Sequence, residues 1–228
     1  MQHHSQSLDR KQFYISTLNP DSQNLRPGTG KTVTVVEAIL QLLRLNPNAR
    51  ILACAPSNSA ADLIAIRLTT LSKDDLFRFY APTRSKEAVP DDLIPYSCRC
   101  DGESHFSCPI LARLKRFRVI VTTCVSASFA YGVGMPRGHF THIFLDEAGQ
   151  ATEPEAMISI KTMADNSTNI ILSGDPKQLG PIIRSNVARG LGLETSYLER
   201  LMERELYDER QGHGVTSALI SQLPLTVC

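Results

Sequence analysis

The chain has 228 residues, of which 42% are hydrophobic and 21% are charged. This size and composition suit one large α/β domain or two small ones, and they exclude a wholly disordered protein. The formal net charge of +1 excludes the broad positive field of a general polyanion binder, so any nucleic-acid contact has to come from a local site.

The first segment with a chemical signal is a glycine-containing loop before a predicted helix. Residues 27–32 read Pro-Gly-Thr-Gly-Lys-Thr, and apolar side chains crowd one face of the helix predicted over residues 32–45. Such a loop binds phosphate through its backbone N–H groups. Lys31 would reach the β- and γ-phosphates of a nucleotide, and the Thr32 hydroxyl would bind magnesium. The complete set of candidate phosphate-binding residues is Gly28, Thr29, Gly30, Lys31 and Thr32.

This loop departs from the usual pattern in two ways. Leu25 stands where the first glycine of the phosphate-binding pattern belongs. Residues 20–24 do not form the apolar strand that should precede the loop. A glycine-rich turn before an unrelated helix is therefore an alternative interpretation.

Four continuous apolar runs, at residues 51–55, 119–121, 143–145 and 170–172, predict strands buried on both faces of a parallel sheet. Helical patterns between them predict helices on both faces of that sheet. Ligands bind at the carboxyl ends of such strands.

Small polar residues follow the first two of these strands. Ser57 and Asn58 come after the first, and Thr122 and Thr123 come after the second. Hydroxyl and amide groups at such positions can bind the phosphates and sugars of a polynucleotide. Ser57 or Asn58 could equally be an ordinary helix N-cap.

The stretch from residue 73 to 118 predicts a loop-rich insertion, because prolines and charges interrupt its apolar pattern. It contains a group that is either a zinc site or a set of plain loop cysteines, namely Cys98, Cys100, Cys108 and the nearby His105. Residues 1–11 lack the apolar core of a signal peptide, and no window approaches the roughly 18 consecutive apolar residues of a membrane span. We therefore expect a reducing intracellular location and no membrane partner.

The third strand run ends in two adjacent carboxylates, Asp146 and Glu147. Asp146 would hold magnesium through water, and Glu147 would act as general base for an attacking water. The fourth run leads into a turn that contains Gln178, whose neutral amide could sense a γ-phosphate. Taken separately, an acidic strand end and a surface turn are the alternatives. Their joint occurrence with the phosphate loop, in this order and at these spacings, predicts a nucleotide-dependent motor.

Three segments resemble motifs of superfamily 1 helicases. Residues 55–62, Ala-Pro-Ser-Asn-Ser-Ala-Ala-Asp, resemble motif Ia, residues 146–151, Asp-Glu-Ala-Gly-Gln-Ala, resemble motif II, and residues 174–179, Gly-Asp-Pro-Lys-Gln-Leu, resemble motif III. This form of motif II, preceded by Gly-His-Phe-Thr-His at residues 138–142, is similar to the Moloney leukaemia virus ten and Armitage group of RNA-silencing helicases. The resemblance covers roughly residues 27–202.

The resemblance implies an α/β fold of the RecA-like P-loop NTPase type, a parallel sheet with helices on both faces. It implies an ATP-dependent RNA helicase that hydrolyses ATP with Mg²⁺ and moves 5′ to 3′ on single-stranded RNA. Silencing-complex proteins are the implied protein partners, and the cytoplasm, including ribonucleoprotein granules, is the implied location. It assigns Lys31, Thr32, Asp146, Glu147 and Gln178 the roles given above. Residues 18–23 look like the family's glutamine motif, in which Gln23 recognises adenine.

Two departures from the family set the expected domain organisation. Only Asn24 and Leu25 separate Gln23 from Arg26, where the family has a longer stretch that includes a strand, so we infer an internal deletion. We expect an N-terminal segment at 1–24, a first RecA-like lobe at 25–206, and a tail at 207–228 in place of the family's second lobe. A non-catalytic remnant with weak nucleotide or RNA binding is therefore the alternative function. DNA as the polynucleotide also stays open, whereas a small-molecule kinase is disfavoured because it has no use for Gln178.

Overall fold

The computed structural model describes residues 13–16, 30–99, 105–175 and 179–204. Six strands of the described residues form one sheet, and every neighbouring pair in it is parallel. The strands are β1 Phe13–Ser16, β2 Ile51–Ala55, β3 Leu76–Arg78, β4 Val119–Thr123, β5 His142–Leu145 and β6 Asn169–Ser173. Their order in the sheet is β1-β6-β5-β2-β4-β3. The helices are α1 Lys31–Leu45, α2 Asn58–Arg67, α3 Leu111–Leu114, α4 Ser128–Gly132, α5 Glu153–Met163, α6 Asn186–Gly190 and α7 Tyr197–Met202, with short 3₁₀ turns at Lys86–Ala88, Asp91–Tyr96 and Ala148–Gln150.

The apolar core lies on both faces of the sheet. Successive side chains of a strand point to opposite faces, and β2 shows the consequence. Ile51 and Ala53 pack in a cluster with residues of α1 and α2, whereas Leu52 and Cys54 pack in a second cluster with residues of α5 and α7. The predicted α/β class, a parallel sheet covered by helices on both faces, is therefore confirmed.

The sheet also contains a strand that the sequence analysis did not place. β1 pairs in parallel with β6, with Phe13 opposite Ile170 and Ser16 opposite Ser173. It comes from segment 1–24, which was expected to lie outside the lobe. A run of four residues is too short for periodicity to identify, although Phe, Tyr and Ile favour strands.

The stretch 73–118 differs in part from the predicted insertion. Its described residues consist mostly of turns, two short 3₁₀ helices and the short helix α3, but they also supply β3, which pairs with β4. All three residues of β3 are buried. This stretch therefore completes one edge of the sheet.

The four cysteines among the described residues are all free thiols. Cys54 and Cys124 are buried, and Cys98 and Cys108 are half-buried; Cys100 lies outside the described residues. Within the residues that the structure describes, no group of three or more His, Cys, Asp or Glu side chains could hold a metal ion. None of the helices in this part of the chain is both long and apolar enough to cross a membrane.

Helix α5, which follows the acidic end of β5, begins with a reciprocal cap. The Thr152 hydroxyl accepts a hydrogen bond from the backbone N–H of Glu155 at 3.4 Å, and the Glu155 carboxylate accepts one from the backbone N–H of Thr152 at 3.0 Å. Two otherwise unpaired N–H groups are satisfied in this way. The cap therefore sets where α5 starts relative to the carboxylates.

We expect Thr152→Ala to lower the free energy of unfolding by about 1 kcal/mol, because it removes the N-cap acceptor. Chemical denaturation followed by circular dichroism measures this loss. Thr152→Ser is the matched control, since it keeps the hydroxyl and should stay close to the parent. Equal stability of the alanine variant and the parent would contradict a stabilising cap.

Candidate nucleotide-binding site

The site begins where α1 starts. Gly30 precedes the helix with a φ of 86°, a left-handed conformation that favours glycine. Lys31 and Thr32 are the first residues of α1, and both are half-buried. No acidic residue lies in the first turn of this helix, so its N-terminus keeps the positive end of the helix dipole. Gly28, Thr29 and Gln23 lie outside the described residues, and their predicted roles stay predictions.

A hydrogen bond joins α1 to the end of β5. The Thr32 hydroxyl donates to Oδ2 of Asp146 at 2.9 Å, across 114 positions of sequence. Asp146 is 1% exposed, and its backbone N–H donates to the carbonyl oxygen of Cys54 in β2 at 2.9 Å. Its second carboxylate oxygen, Oδ1, is buried and has no hydrogen-bond partner among the described residues. A buried carboxylate oxygen without a partner is costly, and this one lies beside the hydroxyl of Thr32.

Glu147 turns the chain sharply out of the sheet. Its φ is 53°, the one positive value outside glycine in the described residues, and such a conformation stores about 1–3 kcal/mol of strain. The strained turn leads into the 3₁₀ turn Ala148–Gln150 and leaves the Glu147 side chain half-buried. Gln150 donates from Nε2 to Oε2 of Glu147 at 3.1 Å, which orients the carboxylate.

The charges around Glu147 show which segments converge on it. Burial raises the pKa of Glu147, the Lys31 ammonium lowers it, and the carboxylates of Asp146 and Asp175 raise it again. The net effect is a pKa above the ordinary value of a glutamate. Because these interactions require proximity, the start of α1, the end of β5 and the turn after β6 meet around one carboxyl group.

Two glycines let the turns after β5 and β6 touch. A Cβ added to Gly149 would lie 2.7 Å from the carbonyl oxygen of Asp175, and one added to Gly174 would lie 2.9 Å from the backbone nitrogen of Gly149 and 2.9 Å from Leu198. Side chains do not fit at such distances, so the two backbones pack directly on each other. Gln178 lies outside the described residues, so its predicted role stays a prediction. Gly174 and Asp175, the last described residues before it, pack against Ala148 and Gly149.

The four predicted polynucleotide-binding residues have different surroundings. Ser57 is exposed, and its hydroxyl caps α2 by accepting from the N–H of Ala60 at 3.2 Å. Asn58, half-buried, is the first residue of α2. Thr122 is 1% exposed with a buried hydroxyl, which disfavours direct contact with a polynucleotide in this conformation. Thr123 is half-buried and its hydroxyl oxygen accepts from the N–H of Ser126 at 3.2 Å.

One polar residue next to this edge was not predicted from the sequence. Arg78, at the end of β3, is 0% exposed and donates to Asn58. Its signal in the sequence was an arginine within the apolar run Leu-Phe-Arg-Phe-Tyr at residues 76–80, because arginine is almost never fully buried without a partner.

Comparison with known proteins places these features in a family. The AAA domain family matches residues 6–106 and 111–186. The Homo sapiens protein named RNA helicase Mov10l1 is 50% identical over 184 residues, which are 79% of this chain and 14% of that protein. The Gallus gallus putative helicase MOV-10 is 42% identical over 206 residues, 86% of this chain and 21% of that protein. The Drosophila melanogaster probable RNA helicase armi is 35% identical over 230 residues, 90% of this chain and 19% of that protein.

The chain therefore spans about a fifth or less of the length of these relatives. Among solved structures, the UvsW helicase from bacteriophage T4 is similar with a TM-score of 0.44 and 13% identity, covering 81% of this chain and 52% of that one. The parallel strand order, and not this likeness, shows the α/β fold.

We expect Gly174→Ala to lower the free energy of unfolding by about 1–3 kcal/mol, because its Cβ would overlap backbone atoms that cannot rotate away. Denaturant titration of the purified variant measures this loss. Gly190→Ala is the matched control, since a Cβ there meets nothing within 4 Å. If both variants were equally stable, the turns after β5 and β6 would not be in close contact.

Proposed function

The chain belongs to the AAA domain family, with the Mov10-type and Armitage-type helicases of superfamily 1 as its relatives, and on that premise we propose that it binds ATP with Mg²⁺ and single-stranded RNA. The full proposal is an ATP-dependent RNA helicase lobe that couples ATP binding and hydrolysis to movement on RNA. One observation carries it, namely the hydrogen bond between Thr32 and Asp146. It joins the phosphate-loop hydroxyl to the acidic strand end.

The donor set at this place fits a magnesium ion. The hydroxyl of Thr32 and the unpartnered Oδ1 of Asp146 are both oxygen donors, and Mg²⁺ prefers one or two carboxylates together with water and phosphate oxygens. When bound, the ion would neutralise charge on the β- and γ-phosphates. Oδ1 of Asp146 is a buried acceptor without a partner, which costs free energy. The bound ion would then satisfy it.

The phosphates would lie at the start of α1. The helix N-terminus offers unpaired N–H groups, and Lys31 adds a positive charge beside them. Lys31 lowers the pKa of Glu147 electrostatically, so the two side chains lie near each other at the proposed site. In that arrangement Lys31 holds the γ-phosphate, and Glu147 faces the water that attacks it.

Glu147 would act as the general base. Its raised pKa, caused first by burial, makes the carboxylate a better proton acceptor at neutral pH than an ordinary glutamate. The hydrogen bond from Gln150 would aim the accepting oxygen. Gln178 would report the γ-phosphate to the turn that packs against Gly149, and Gln23 would recognise adenine; both roles stay predictions of the resemblance.

RNA would lie across the neighbouring part of the same edge. Ser57 and Asn58 follow β2, which lies beside β5, so the proposed nucleotide and polynucleotide sites are on adjacent strands. The net charge of +1 is consistent with local hydrogen bonding rather than a broad basic surface. Participation in RNA silencing, silencing-complex partners and a cytoplasmic location belong to this proposal as well, because they come with the resemblance.

We expect Thr32→Val to weaken Mg²⁺-dependent nucleotide binding by about tenfold or more, because it removes the hydroxyl and keeps the shape. Titration of a fluorescent ATP analogue, with and without Mg²⁺, measures this. Thr32→Ser is the matched control and should bind like the parent. The parent itself should bind weakly, since Leu25 replaces a glycine of the loop. Retained Mg²⁺ dependence in the valine variant would rule out the hydroxyl as a ligand, and no binding by the parent would favour the non-catalytic remnant.

We expect Glu147→Gln to bind the same analogue as well as the parent and to lose about 10²–10⁴ in the rate of single-turnover hydrolysis. In the parent, this rate should rise as pH passes upward through the raised pKa of Glu147, because only the carboxylate accepts a proton. Phosphate release from a complex of radiolabelled ATP and the protein measures the hydrolysis rate of the variant and the pH dependence of the rate in the parent. An unchanged rate in the glutamine variant would remove Glu147 as the base.

A further inference from the structure

A buried charged network lies directly behind the start of α2. Arg78 is 0% exposed. Its guanidinium donates from Nε to Oδ1 of Asp62 at 2.8 Å, and one terminal nitrogen forms an ion pair with the same oxygen at 2.8 Å. The other terminal nitrogen donates to the carbonyl oxygen of Phe79 at 2.7 Å. The ring of Tyr80 stacks on the guanidinium at 4.1 Å, and the Tyr80 hydroxyl donates to the same oxygen of Asp62 at 2.8 Å.

Net stability alone does not account for this network. A buried ion pair contributes little net stability compared with apolar side chains of similar volume, because both charges lose their water. Arg78 is nevertheless held by several hydrogen bonds that only a planar guanidinium can make at once. Because Arg78 is paired with Asp62, the network carries no net charge and does not add positive potential to this edge of the sheet. It orients neighbouring polar groups through hydrogen bonds.

One donor of this network reaches the predicted RNA-binding residue. The same terminal nitrogen of Arg78 that contacts Asp62 also donates to Oδ1 of Asn58 at 3.1 Å. Arginine has donors and no acceptor, so Asn58 has to turn its oxygen inward and its NH₂ group away from Arg78. No residue in the described part of the chain accepts a hydrogen bond from Nδ2 of Asn58. The neighbours of Asn58 along the chain, Ser57 and Ser59, are both exposed.

We propose that Arg78 is a positioning residue for RNA binding. It holds the Asn58 amide in the one orientation that presents two N–H donors to the phosphates and sugars of single-stranded RNA. An asparagine without this contact could present either its oxygen or its NH₂ group, and the oxygen would repel a phosphate. This inference rests on the proposed function, since it assumes that RNA lies along the carboxyl ends of β2 and β4.

Asn58→Asp separates the two roles of the network. A carboxylate at this position keeps an oxygen for Arg78 and favours the N-terminus of α2, so we expect the variant to be at least as stable as the parent in thermal unfolding. It also replaces the NH₂ donors with a negative charge. We therefore expect its affinity for a fluorescein-labelled oligouridylate, measured by anisotropy, to fall by more than tenfold. Thr70→Asp, on the exposed turn after α2, adds the same charge elsewhere and should change affinity by less than about twofold.

A double-mutant cycle tests whether Arg78 acts through Asn58. Arg78→Lys keeps the charge but loses the fork that reaches both Asp62 and Asn58. In the parent, we expect Asn58→Ala and Arg78→Lys each to weaken oligouridylate binding by about tenfold. In the Asn58→Ala background, Arg78→Lys should weaken it by less than about twofold, because the residue that it positions is gone.

The outcomes are distinguishable. An equal effect of Arg78→Lys in both backgrounds would show a purely structural role and overturn the proposal. So would oligouridylate binding by Asn58→Asp that matches binding by Thr70→Asp. If Arg78→Lys does not fold, the comparison of Asn58→Asp with Thr70→Asp decides alone. If the parent binds ATP analogue but no oligouridylate, the RNA part of the proposed function fails first and this inference falls with it.

Discussion

The hydrogen bond from Thr32 to Asp146 depends on the whole arrangement of the sheet. Its partners lie 114 positions apart in the chain, and they meet only because α1 begins at the edge of the sheet where β5 ends. Parallel strands make this possible, since all their carboxyl ends lie at one edge. Any change that shifted α1 along β5 by one turn, about 5.4 Å, would break the bond and separate the two oxygens proposed to bind magnesium.

Close backbone packing transmits this arrangement to the neighbouring turns. Glu147 leaves β5 in a strained left-handed conformation, and the segment after it packs against the turn after β6 through Gly149 and Gly174. Neither glycine leaves room for a side chain, so the two backbones are in direct contact. Under the proposed function, this contact would couple the segment that precedes Gln178 to the segment that follows Glu147.

The polar groups of this edge differ in how their desolvation is compensated. Oδ1 of Asp146 is buried without a described partner, which is costly unless a ligand completes it. Arg78 and Asp62 are buried as well, but the guanidinium nitrogens of Arg78 and Oδ1 of Asp62 have hydrogen-bond partners within the protein. The first arrangement suits the magnesium ion that we propose. The second suits a permanent support that orients Asn58.

The sequence alone was sufficient for the fold class and for four of the strands, because run length and helical period are local properties of the chain. It was not sufficient for β1 and β3, which are four and three residues long and become strands by hydrogen bonding to β6 and β4. Nor could it show that Thr122 is buried or that Asn58 turns its oxygen toward Arg78. Those features are decided by neighbours from distant parts of the chain, and only the tertiary structure brings such neighbours into contact.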